Sequence, residues 1–232
     1  IKQAIMPMII LTCLASKLSN KQVIWVEDRL EHLTAASSAT GRLTKLRASI
    51  NEKGLIEALD YDQIDDVGAY PRAPEPASLY RMHGNLSGAY KVKNISCRNR
   101  VVLTNKTPSG LNRGFGGPQH YFALERLVHQ IAVELNLNVL DVIKVNLLEK
   151  KQFPYKSPSG ALLDSGDFQK LVRKVVKSST YKNILKKKND AIKNGKIYGI
   201  GYSAIIEPSI SNMGYVTTAL PYKDREKTGH KG

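Results

Sequence analysis

Residues 107–135 read TPSGLNRGFGGPQHYFALERLVHQIAVEL, a glycine-rich loop running straight into a strongly patterned helix. From Gln119 to Leu135, the residues Leu124, Leu127, Val128, Ile131, Ala132 and Leu135 fall at i, i+3, i+4, i+7, i+8 and i+11. That spacing makes one apolar face turned to a core. Pro118 stands in the first turn, where a missing N–H costs nothing. Ahead of it, Gly110, Gly114, Gly116 and Gly117 can take backbone angles closed to other residues. N–H groups exposed in this way beside a helix start form a concave anion site. Arg113 adds a charge and a planar donor fork suited to phosphate or carboxylate. Phe115, set between glycines, belongs to no helical or strand stripe and is free to face a ligand. The same residues also suit a tight turn that packs Phe115 inward and leaves Arg113 as a surface ion-pair residue, so the loop alone leaves both readings open.

Upstream of the loop, GRLTKLRASI (41–50) and LIEALDYDQI (55–64) flank Asn51-Glu52-Lys53-Gly54, which predicts two antiparallel strands joined by a hairpin. YKVKNISCRNRVVLTN (90–105) alternates well enough for one or two more strands. A helix is expected over 3–18 from the stripe Ala4, Met8, Ile9, Leu11, Thr12 and Ala15, with Pro7 in its first turns. Its apolar run, MPMIILTCLA, is shorter than the roughly 20 residues that span a bilayer and lacks the order of a signal peptide. It is therefore expected to be a core helix. KQVIWVED (21–28) is rich in β-formers, and the proline-rich stretch 71–78 argues against regular structure.

Downstream, Asn138 is placed to cap a helix over VLDVIKVNLL, with Asp141 at the capping-box position. A loop over 153–167 leads to a third helix with Phe168, Leu171, Val172, Val175 and Val176 on one face, ended by Asn194-Gly195. KIYGIGYSAIIEP and GYVTTAL read as two strands around SISNM. Strands and helices come in separate runs, which predicts an α+β fold with a mixed sheet and packed helices.

The 232 residues are 42% hydrophobic and carry a formal charge of +15, so the chain has material for a real core and a polyanionic partner has to be weighed. The densest basic stretch, 170–196, sets ten Lys/Arg against the single acid Asp190. Its apolar residues recur at helical spacing, so the simplest reading is the wet face of an amphipathic helix, with an acidic partner as the alternative. Cys13 and Cys97 lack metal-ligand spacing and fit a reducing cytoplasm, with both thiols packed rather than reactive. His32, His83, His120, His129 and His230 show no zinc-like spacing, so no directly ligated metal is expected. Glu27, Asp28 and Glu31 read as a salt-bridge network neutralised by Arg29 and Arg42. No βαβ unit surrounds the glycines, which excludes a dinucleotide fingerprint, and no nucleophile–base grouping can be assembled.

TNKTPSGLNRGFGGPQHYFALERLVHQIAVELNLNVLDVIKVNLL (104–148) resembles the molybdenum-cofactor-binding large subunit of the xanthine dehydrogenase, aldehyde oxidase and carbon monoxide dehydrogenase family. LASKL, KQVIWVEDRLEH, VGAY, GAYKVKNIS, DSGDF and YGIGYS agree with it in order, so the resemblance covers nearly the whole chain. It implies a partial cofactor-binding domain, with residues 1–152 as a segment of the first subdomain. Residues 153–232 would be a helical connection and the start of the second. It implies that Arg113, Gly114, Gly116 and Gly117 contact the cofactor. Phe115 and Tyr202 would form the two faces of an aromatic slot, with Ser203 beside them. Arg81, nine residues before Tyr90, matches a substrate-binding arginine, and Gln3 stands where purine-oxidising members carry a glutamate, which points to aldehydes or similar small substrates.

The upstream GGFG loop, the later GQG loop and the catalytic glutamate of the family have no counterpart in these residues, so no catalytic residue is expected in this chain. The implied cofactor is molybdopterin, held in a complete assembly. The implied partners are the remaining pieces of the large subunit together with FAD-binding and iron–sulfur subunits, in the cytoplasm and without a membrane. The competing readings are a non-catalytic basic module for nucleic acid or another polyanion, and a fragment without function.

Overall fold

A computed structural model describes residues 6–39, 41–71, 82, 84–110, 114 and 116–206. Its centre is a three-stranded sheet of β1 (Gly41–Ile50), β2 (Ile56–Asp66) and β3 (Asn94–Val102), in that order. β1 and β2 pair antiparallel from Gly41↔Asp66 to Ile50↔Ile56, as the turn chemistry at Asn51–Gly54 predicts. The Asn51 carbonyl accepts from Gly54 N–H at 2.9 Å, and its side chain accepts from Lys53 and Leu55 N–H. β3 is one strand, and it pairs in parallel with β2.

Because β2 is the middle strand, its alternation decides what the sheet buries. Leu59, Tyr61, Gln63 and Asp65 point inward and are buried. On the opposite face Asp60 and Asp62 meet Arg47 and Arg100 in exposed ion pairs. The inward face turns from apolar to polar along the strand, and at its polar end Arg42 meets Asp65 in a two-pronged ion pair at 2.5 and 2.8 Å, with side chains 1% and 0% exposed. Asn99 on β3 adds a 3.3 Å hydrogen bond to the same carboxylate.

Across this face lies α3 (Gly117–Glu134), the helix expected from the opening stretch. Its residues Leu124, Val128, Ile131 and Ala132 join Ile56, Leu59 and Tyr61 in one core cluster. The short α4 (Val139–Asn146) adds Val142 and Ile143 to it. Asn138 caps α4 by accepting from Leu140 N–H, while Asp141, expected to close a capping box, pairs instead with Lys144 at 3.0 Å. Inside the core, Asn146 is fully buried and donates to the Gly54 and Val142 carbonyls at 2.7 and 2.8 Å. Its own oxygen accepts from Ile56 N–H at 2.7 Å.

Several expectations are corrected. α1 (Met6–Ser19) is a helix, yet it buries none of its residues, and Met6, Ile9, Ile10, Leu11, Leu14 and Leu18 stand exposed. Ile9, Ile10 and Leu11 in succession make it apolar on more than one side, and the described residues do not cover it. KQVIWVED forms no strand. Asp28 and Glu31 form instead the reciprocal capping box of α2 (Arg29–Ala35), so these carboxylates serve a helix start, Glu27 pairs with His32 at 3.0 Å, and Arg42 turns to Asp65.

The segment 153–167 contains a small hairpin, β4 (Tyr155–Lys156) with β5 (Leu162–Leu163). The third helix is two, α5 (Phe168–Lys177) and α6 (Ser179–Lys193), because Ser178 takes an extended backbone and its hydroxyl accepts from Tyr181 N–H to start the second. The expected end at Asn194-Gly195 is met, with Gly195 at φ 65. Lysines 170, 174, 177, 182, 186 and 187 lie on the exposed side of this pair. Both cysteines are exposed rather than packed. Cys97 sits on the outer strand β3, where partial burial still pushes its thiol up. Residues 196–206 form no strand ladder, and GYVTTAL and residues 72–78 of the proline-rich stretch lie outside the described residues. No helix among the described residues is long and apolar enough to cross a membrane.

Candidate functional site

The glycines before α3 set up the site. Gly114 and Gly116 take φ of 87 and 79, left-handed angles that favour glycine. A Cβ on Gly114 would come within 2.9 Å of the Pro118 ring. Gly117 N–H donates to the Gly114 carbonyl, closing a tight turn, and Gly116 occupies the N-cap with no side chain to satisfy the helix amides. Among the described residues, the N-cap of this 18-residue helix thus offers no side chain to its positive end.

A cavity of about 530 Å³ opens beside this turn. It is lined by Gly114, Pro118, Tyr121, Phe122, Glu125, Arg126 and His129, and on its other side by Ser203 and Ile205. Of the residues expected at a site, the structure brings Gly114 and Ser203 to one cavity, with Gly116 and Gly117 at the adjoining helix start. Tyr202 does not line it. The Tyr202 ring lies 6.2 Å from that of His129 and 6.4 Å from that of Tyr181, on the core side. Burial and a 3.3 Å hydroxyl contact with Tyr181 push its phenol up to about 12. Arg113, Phe115, Arg81 and Gln3 lie outside the described residues.

The alternation of residues 202–206 explains this division. Tyr202, Ala204 and Ile206 pack against the core cluster, while Ser203 and Ile205 face outward. The segment has the period of a strand but hydrogen-bonds to side chains rather than to another strand. Ala204 N–H donates to Glu125 at 2.9 Å, the Tyr202 carbonyl lies 2.7 Å from His129 Nε2, and the Tyr121 hydroxyl donates to the Ile206 carbonyl. The Tyr90 hydroxyl donates to both Glu125 oxygens at 3.0 Å. Burial raises the Glu125 pKa, and the Ala204 N–H, the Tyr90 hydroxyl and His129 partly offset that rise.

These three side chains were legible only in part. Tyr121, Glu125 and His129 recur every four residues along the flank of the apolar face, so the same periodicity that gave the core stripe carries a second, polar stripe beside it.

His120, in the first turn of α3, is fully buried between the rings of Tyr61 and Tyr121, at 5.6 and 5.3 Å. Burial first, and then the Arg42 charge, push its pKa down to about 3, against the smaller opposing effect of the Asn85 and Leu86 backbone. A group depressed in the folded state costs stability as pH falls, because the unfolded chain takes up the proton first. His120 should therefore remove about 2 kcal/mol between pH 6.5 and 5, at 1.36 kcal/mol per unit. Glu125, raised in the fold, acts in the opposite direction. Urea midpoints measured across this range should show a steeper acid loss in the parent chain than in His120→Gln, and parallel curves would refute the assignment.

Comparison with known proteins gives the chain a family. Residues 1–147 match the family model described as the molybdopterin cofactor-binding domain. The chain is 27% identical over 216 residues to the nicotine 6-hydroxylase large subunit of Paenarthrobacter nicotinovorans, covering 92% of this chain and 26% of that protein. It is 28% identical to the carbon monoxide dehydrogenase large chain of Hydrogenophaga pseudoflava, covering 78% and 23%. Among solved structures, quinoline 2-oxidoreductase from Pseudomonas putida 86 superposes with a TM-score of 0.72 at 27% identity, over 82% of this chain and 24% of that one. The chain spans about a quarter of the length of these relatives.

Proposed function

Because the chain belongs to the molybdopterin cofactor-binding domain family, we propose that it supplies one wall of a molybdenum hydroxylase site, joining cofactor and substrate for the oxidative hydroxylation of an aldehyde or similar small molecule. The observation that carries this reading is the cavity shared by Gly114 and Ser203 at the start of α3, where the N-cap is a glycine.

The residues present fit an anionic cofactor that comes close to the backbone. Two left-handed glycines remove side chains from the approach, and the helix start favours negative charge. On this reading Arg113, Gly114, Gly116 and Gly117 hold the molybdopterin. Phe115, Ser203, Arg81 and Gln3 orient the substrate, with Tyr202 packed behind Ser203. The bound cofactor supplies the redox chemistry, as cofactors do, and the chain supplies position and electrostatics. The catalytic base comes from elsewhere in the assembly, together with the rest of the large subunit and the FAD-binding and iron–sulfur subunits, in the cytoplasm. On the same reading residues 1–152 belong to the first cofactor-binding subdomain, and 153–232 form a helical connection and the start of the second.

The test is molybdenum and pterin content. The chain purified with the remaining segments of the large subunit should retain both, and Gly114→Ala should lower retention at least tenfold by straining the turn. Retention at the parent level in Gly114→Ala would remove the loop from the cofactor site. Stoichiometric molybdenum in the chain purified alone would overturn its dependence on the assembly. A salt-dependent shift of duplex DNA, weakened by replacing Lys186, Lys187 and Lys188, is the result that would favour the basic-module reading instead.

A further inference from the structure

Residues 121, 125 and 129 of α3 bond to residues 206, 204 and 202, so each step of four along the helix answers a step of two along the extended segment, in the opposite direction. Four helical residues advance about 6 Å, and two extended residues advance about 6.6 Å. The two repeats are close enough for three successive rungs to be made together. A helix has no free backbone groups along its flank, so a strand can be fixed to it by hydrogen bonds only through side chains at this spacing.

We propose that Tyr121, Glu125 and His129 are positioning residues that set the register of the 202–206 segment on α3, and so present Ser203, rather than Tyr202 or Ala204, to the cavity beside Gly114. A slip of one residue would exchange the inward and outward sets, burying Ser203 and exposing its neighbours. A slip of two would keep the faces but forfeit a rung at one end. Each rung is itself held. Tyr90 fixes both Glu125 oxygens, Asn85 donates to the Tyr121 hydroxyl at 3.2 Å, and the His129 ring stacks on Tyr202. The register belongs to this chain alone, while its bearing on substrate rests on the function proposed above.

The experiment therefore reads register without cofactor. In a chain with Cys13 and Cys97 replaced by serine, single cysteines at 203, 204 and 205 are titrated with a water-soluble thiol reagent, and hydrogen exchange of β2 is followed in parallel. Ser203→Cys and Ile205→Cys should react at least tenfold faster than Ala204→Cys. Glu125→Ala and His129→Ala should each abolish this alternation while β2 keeps its protection. Glu125→Gln, which retains an oxygen for the Ala204 N–H, should preserve it. Where Glu125→Ala unfolds the chain, His129→Ala and Tyr121→Phe give the same reading from the ends of the ladder. An alternation that survives Glu125→Ala and His129→Ala would overturn the proposal, and so would its loss in every variant together with β2 protection, which marks a general scaffold. Neither result depends on molybdenum retention, so the two proposals fail separately.

Discussion

Replacing Asp65 by alanine is expected to cost about 3–5 kcal/mol, a large part of the 5–15 kcal/mol that holds a domain together. The Arg42 and Asp65 side chains are 1% and 0% exposed, and the carboxylate meets the guanidinium with two hydrogen bonds. Removing the carboxylate takes this partner from a guanidinium that is only 1% exposed, and the penalty is mainly that of a buried charge losing its counter-ion. The fraction of the loss due to charge can be separated from packing, because Arg42→Leu with Asp65→Leu removes both ions and should recover much of the stability. Guanidinium unfolding of the parent, the single variant and the double variant measures this. A loss below 1 kcal/mol in Asp65→Ala would mean that the pair is solvated in solution. The damage should also reach the loop, since Arg42 lines the neighbouring surface with Pro118 and Gln119 and its charge acts on His120.

Asn146→Ala is expected to cost about 3 kcal/mol or more. Three bonds of 2.7–2.8 Å tie this one amide to Gly54, Ile56 and Val142. Ile56 opens β2 beside the register shift at Ser49/Ile50, where Asn146 serves its N–H. Alanine would leave a buried N–H and a buried C=O without this partner, at about 1–3 kcal/mol each. Asn146→Asp keeps an acceptor for Ile56 but loses both donors and adds a charge, so it should not rescue. The signature in urea is a lower midpoint with an unchanged slope. A midpoint equal to that of the parent in Asn146→Ala would show that water can replace the amide.

The hairpin and α3 were readable because each is specified by residues close together. Asn51 and Gly54 make their own turn, and Leu124 to Leu135 repeat at one period. The capping box of α2 is equally local, yet in the sequence two acids near two bases suggest ion pairs before they suggest a helix start, which hides the role of Asp28 and Glu31. Ser178 is hidden for a related reason, since the apolar spacing from Phe168 runs unbroken past a serine able to start a second helix. The fate of residues 196–206 could not be read locally. They read as part of a strand, and burial alternates over 201–206 as it would in one, but what they bind lies 73–85 residues back, on the flank of α3. The Arg42–Asp65 pair was hidden likewise, because it needs the β1–β2 register and the burial of one end of β2.

The parallel pairing of β3 with β2 bears on the order in which the sheet assembles. β1 and β2 can zip from their own turn on the microsecond scale of hairpins, whereas β3 reaches its place only after residues 67–93 have closed a long loop, whose entropy is lost before any rung of the second ladder forms. Until then the edge of β2 that β3 will occupy offers its unpaired backbone groups to any other chain. The newly made protein is therefore most vulnerable to association in the interval between the two ladders, and the rate of that loop closure sets how long the interval lasts.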